Sequence, residues 1–101
     1  MVIKMNAFGN SLVTRESGRA AYDSIIGQMR NTGDVTEFDF SGIELITNSF
    51  ADEVFGRMAF EYGIDAMRKR TTFSHIDRMW AIVVRSVIDS RSAQRDSAVT
   101  A

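Results

Sequence analysis

The sequence predicts an α/β domain: a small mixed or mainly parallel sheet of about four strands packed with three helices. Apolar residues first alternate in short runs and then recur at spacings of three and four, so the pattern switches between strand and helix periods. The two kinds of segment take turns along the chain, which calls for helical crossovers between neighbouring strands. At 101 residues there is room for one domain, able to bury about two-thirds of its unfolded surface. We expect that domain to span residues 1–90, followed by a flexible tail over 91–101.

Ile3, Met5 and Ala7 alternate with Val2, Lys4 and Asn6, the pattern of a half-buried strand, and Gly9-Asn10-Ser11 closes it as a turn. From Thr14 the period lengthens. Gly18, Ala21, Tyr22, Ile25, Ile26 and Met29 form one helical stripe, with Thr14 as N-cap and Gly33 as the stop. Val35 to Phe40 alternates again as a second strand, and Ile43, Leu45 and Ile46 make a short buried connection or strand. A second helix opens at Thr47-Asn48-Ser49 and carries Phe50, Val54, Phe55, Met58 and Tyr62. Ser49 and Asp52 have capping-box spacing. Residues 64–70 fit either a short helix or a connection, and Thr71-Thr72-Phe73 a strand. Ser74 and Asp77 repeat the capping-box spacing before a third helix with Ile76, Met79, Trp80, Val83, Val84, Val87 and Ile88 as its stripe. Beyond Asp89 no apolar stripe continues, hence the expected tail.

Twelve basic and thirteen acidic residues nearly cancel. That balance argues against a surface built to neutralise nucleic acid or anionic lipid. Without cysteine there is neither a disulfide nor a thiolate metal site. No signal-peptide pattern and no membrane-length apolar run is present, so a cytoplasmic location is expected. No Walker-type loop, zinc spacing or dinucleotide fingerprint occurs, and we expect no cofactor and no metal.

The most informative stretch runs from Phe38-Asp39-Phe40-Ser41-Gly42 through Ile43-Glu44-Leu45-Ile46 to Thr47-Asn48-Ser49-Phe50-Ala51-Asp52-Glu53. A strand ends in an acid and a Ser-Gly turn, and small hydroxyl and amide residues then open a helix. This stretch resembles the STAS domain of anti-sigma factor antagonists and sulfate transporter tails. It is closer still to the STAS-like family of unknown function, whose members carry a similar Asp-Phe and Ser-Phe-Ala-Asp-Glu run. The resemblance extends over residues 1–90. In the antagonists the helix opens with Asp-Ser-Ser-Gly, and a partner kinase phosphorylates the first serine. A gapless match sets Thr47 at the acid, Asn48 at that serine, Ser49 at the second serine and Phe50 at the glycine. Asparagine accepts no phosphate, which leaves Ser49 and Thr47 as the nearby acceptors.

Function is therefore expected to be non-catalytic: a regulatory protein–protein interaction domain, with Thr47, Asn48, Ser49, Asp52 and Glu53 at the contact. The resemblance implies an ATP-binding kinase-like or anti-sigma-like protein partner. The alternative is a small-molecule or nucleotide-binding module using the same helix N-terminus, whose free N–H groups favour anions. Other features read as structural. Asp39 is expected to accept N–H groups of the Ser41-Gly42 turn. His75, between Ser74 and Asp77, lies too close to both in sequence for a triad and reads as part of a helix cap. Arg68-Lys69-Arg70 reads as a solvated turn.

Overall fold

Alternation in three strands sets Ile3, Phe38 and Phe73 in one row across a parallel sheet. The register pairs Ile3 with Phe38 and Phe38 with Phe73. The computed structural model describes residues 1–100, with side chains through Ala98. It contains β1 (Val2–Lys4), a 3-10 turn (Met5–Phe8), β2 (Ser11–Leu12), α1 (Arg15–Met29), β3 (Thr36–Asp39), β4 (Leu45–Ile46) and α2 (Asn48–Ala51). A π-helical turn (Asp52–Gly56) runs without a break into α3 (Arg57–Tyr62). Then come α4 (Ile64–Arg70), β5 (Thr71–Ser74) and α5 (Arg78–Thr100).

The α/β class stands, with more and shorter pieces than the sequence suggests. A three-stranded sheet runs β1-β3-β5 and a second pairs β2 with β4; every pairing is parallel. The expected first strand ends early. After Lys4 the chain tightens into the 3-10 turn, which buries Met5 completely and leaves Ala7 in solvent. Ser11, read as part of a turn, instead opens β2, because Leu45-Ile46 arrives beside it and offers a ladder.

Phe38, Phe50 and Phe55 are fully buried, each burial contributing about 1.5–3 kcal/mol. The Phe55 ring meets Phe38 edge-on at 5.1 Å and Phe73 at 5.3 Å. Helix stripes bring the remaining core: Ala21, Tyr22 and Ile25 from α1, Met58 from α3, Val84 and Val87 from α5. On α5 the expected stripe holds at Val84 and Val87 but not at its start. Met79 is 63% exposed, and Trp80 only packs against the core rim while half-exposed.

The expected tail is the largest correction. Residues from Arg91 continue α5 to Thr100; Ala101 lies outside the described residues. Two arginines replace the missing apolar stripe. Val84, Val87, Arg91 and Arg95 succeed one another at spacings of three and four and so share a helix face. Arg91 clamps Asp52 through two bonds of 2.8 Å, and Arg95 donates to the carbonyls of Phe60 and Glu61. No described helix is long and apolar enough to cross a membrane.

Candidate functional site

The start of α2 is built from a single hydroxyl. Thr47 accepts the Phe50 N–H at 3.2 Å and donates to the Val13 carbonyl, joining the helix cap to the segment before α1. The expected Ser49–Asp52 capping box does not form, because the Asp52 carboxylate turns away from the helix start toward two arginines. Asn48 is exposed and Ser49 half-buried.

Asp52 and Glu53, expected at a partner contact, are engaged within the domain. Arg15 Nη1 on α1 donates to Asp52 Oδ2 at 2.8 Å and to Glu53 Oε1 at 3.1 Å, while Arg91 grips Asp52 from the other side. The Arg91 guanidinium, aided by Arg15, holds the Asp52 carboxyl below the usual carboxylate range against the opposing effect of burial. Close approach of α5 here depends on Gly56. A Cβ on it would sit 2.6 Å from Asp52 Oδ1, 3.0 Å from Arg91 Cγ and 3.3 Å from the Val87 carbonyl oxygen. Gly18 plays the same part for α1, where a Cβ would stand 3.1 Å from the Phe50 carbonyl oxygen. A polar cleft of about 520 Å³ remains between these elements, lined by Arg15, Asn48, Asp52, Ser86, Ser90 and Arg91.

A second polar group gathers at the C-terminal ends of β3 and β5. Asp39 Oδ1 accepts the Ser41 N–H at 2.9 Å and the Ser41 hydroxyl at 2.7 Å, the turn contact expected from the sequence. His75 Nδ1 lies 3.1 Å from the same oxygen. These Ser41 donors hold the Asp39 carboxyl below its ordinary range. The serine hydroxyl is spent on the carboxylate and not on the imidazole, so the trio lacks the nucleophile–base bond of a hydrolytic triad. His75 is not in a helix cap; it adopts φ of +52° in the connection to α5. Asp77 alone caps that helix, accepting the Met79 N–H at 2.9 Å, and Ser74 donates to Glu37 at 2.7 Å. Among the described residues no group of three or more His, Asp or Glu is placed to hold a metal ion.

The third surface is apolar. Met79 and Ile82 on α5 are 63% and 61% exposed, and the run Met79-Trp80-Ala81-Ile82-Val83-Val84 is apolar on every side of the helix. On the flank of the same helix, a groove of about 440 Å³ opens between α4, β5 and α5. Arg68, read as part of a solvated turn, stands in its wall. Arg70 instead turns inward to the carbonyls of Met29 and Thr32.

Residues 17–79 match the family described as the STAS-like domain of unknown function (DUF4325). The chain belongs to this family. No curated protein and no solved structure matches it. The STAS-like match spans α1 to the first residues of α5 and includes the α2 start and the Asp39 turn. It stops at Met79, so Ile82, Arg91 and Arg95 lie beyond the matched segment.

Sequence reasoning missed Arg15, Gly56, Arg91 and Arg95. The one available signal was the i, i+4 spacing of Arg91 and Arg95 in line with Val84 and Val87. Nothing in the sequence announces that Gly56 lies under another helix.

Proposed function

We propose that this STAS-like domain is a non-catalytic, regulatory protein-interaction module whose contact surface is the first half of α5. The observation that carries this reading is the all-round apolar turn from Met79 to Val84. A helix apolar on every side belongs in an interior, yet here Met79 and Ile82 face solvent. A protein surface laid against that turn would remove them from water. Placing the contact here departs from the α2 start, where Thr47, Asp52 and Glu53 are committed to bonds within the domain. The STAS resemblance supplies the partner class, an ATP-binding kinase-like or anti-sigma-like protein. A nucleotide in the polar cleft is the weaker reading, since Asp52 and Glu53 already neutralise Arg15 and Arg91 beside it.

Capture of an ATP-binding partner by the wild-type chain, compared with Met79→Asp and Ile82→Asp, tests the reading. Both positions are exposed, so the fold should persist while capture fails. Unchanged capture by both variants would refute it. Amide shifts confined to residues 47–52 on nucleotide addition would favour the ligand reading instead.

A further inference from the structure

Among the described residues no strand pairs with either outer side of the main sheet. The order β1-β3-β5 makes β5 an edge. The Phe40 N–H donates to the Ser74 carbonyl at 3.0 Å, so Ser74 and, by alternation, Thr72 turn their backbone groups toward β3. Phe73 therefore turns its N–H and C=O outward, with the Thr71 carbonyl beside it. No described strand pairs with that side. The Phe73 ring packs on the helix-covered face of the sheet, 5.6 Å from Phe38 and 5.3 Å from Phe55. Along this edge and on this face lies the groove between α4 and α5. Ile64 and Met67 line it from one helix, Val84 and Ile88 from the other. This is the space that the inward-facing side chains of a fourth strand would fill.

Charge further restricts the occupant. Arg68 on α4 and Arg85 on α5 line the groove from its two helices. Arg68 makes no ion pair among the described residues. Arg85 has only Asp89, at 3.8 Å with both side chains mostly in water, a contact of little worth. Asp89 also lines the groove, so two cations face one carboxylate there and the net positive charge favours an acidic occupant. A lipid chain would satisfy the apolar walls but leave the Phe73 N–H and C=O without partners in a drier site. A peptide backbone supplies those partners.

We propose that the groove takes an extended, acidic segment of a partner protein by strand addition to β5. Alternate apolar side chains enter between α4 and α5, and a carboxylate lies between Arg68 and Arg85. This deepens the protein-interaction reading above and rests on it.

The test begins with selection of random decapeptides displayed on phage against the full chain. Enriched sequences should alternate apolar residues with Asp or Glu. A synthetic peptide of that sequence should shift the amides of Thr71 and Phe73. Methylating the backbone nitrogens on the ladder side of the peptide should weaken binding about tenfold, while methylating the opposite set leaves it unchanged. Arg68→Glu with Arg85→Glu should weaken it by at least as much. Failure of any sequence to enrich, a basic or helix-spaced consensus, or shifts away from β5 would overturn the proposal. A wild-type dimer with a protected Phe73 amide would overturn it too, by giving the edge to a second copy. If Met79→Asp and Ile82→Asp abolish partner capture while the groove stays inert, strand addition falls and the interaction reading survives.

Discussion

Removing the Arg91 side chain should cost the fold measurably. Its guanidinium makes two bonds of 2.8 Å to Asp52, whose carboxylate is 16% exposed, and its own side chain is 26% exposed. Hydrogen bonds to charged groups contribute about 1.5–3 kcal/mol each. Arg15 stays on Asp52 Oδ2 in the variant and water reaches the vacated side, so the two bonds are not lost at full value. We expect Arg91→Ala to destabilise by about 2 kcal/mol, a fall in Tm of roughly 8–16 °C for a domain this size. Arg91→Lys keeps the charge without the fork and should fall between. The effect should also depend on pH. Asp52 has a lowered pKa in the folded state, so its contribution is present above the unfolded value of about 4 and is lost as pH falls through the folded one. Thermal denaturation of wild type and variant should therefore diverge at neutral pH and converge in acid. A difference under about 0.5 kcal/mol at pH 7, unchanged in acid, would refute the clamp and return residues after Ser90 to the role of a tail.

Gly56→Ala tests the same junction from beneath. Alanine gains about 1 kcal/mol of helix propensity, but its Cβ meets the Val87 carbonyl oxygen at 3.3 Å as well as two side chains. Overpacking of this kind costs about 1–3 kcal/mol. Since the Val87 backbone cannot swing aside, urea titration should show net destabilisation, and a stabilised variant would contradict the close crossing. Thr47→Ala removes a cap and the tie to Val13 together and should cost about 1–2 kcal/mol. Ser49→Asp, one residue inside the helix start, should stay within about 0.5 kcal/mol of wild type because the helix dipole favours an acid there. Equal losses at positions 47 and 49 would mean that the two hydroxyls are equivalent, against the geometry. Of the two hydroxyls at the helix start, Ser49 is the one the fold can spare.

Where burial alone sets the pattern, the chain is readable. The rows through Phe38, the α1 stripe and the Thr14 cap follow from period and residue type, since one face meets the core and the other water. Legibility fails where a contact depends on the approach of another segment. Ser11-Leu12 becomes a strand only because Leu45-Ile46 lies beside it. The helix through Asp52–Gly56 widens to a π turn at the point where α5 crosses Gly56, and no local rule foretells it. Capping-box spacing misled twice for one reason: Asp52 and Ser74 found stronger or nearer partners in Arg91 and Glu37.

The candidate surfaces were legible in the same uneven way. Residues at the α2 start attract notice as a run of small polar groups, but their chemistry is decided by arginines distant in sequence. Along α5 the two halves divide the labour. From Met79 to Ile88 the helix leaves apolar side chains and a strand-edge groove unfilled; from Arg91 onward it holds the domain together through charged bonds to Asp52 and to the end of α3. Arginine can do this because its planar head reaches an acceptor while also facing an aromatic ring, the Arg91 guanidinium carbon lying 6.0 Å from the Phe60 ring centroid. The consequence is a separation of phenotypes along one helix. Substitutions at Met79, Ile82 and Arg85 should alter binding at constant Tm, and those at Arg91 and Arg95 should lower Tm with binding intact below the melting transition. Parallel loss of both properties at Ile82 would mean that its exposed side chain supports the fold, and the contact surface would have to lie elsewhere.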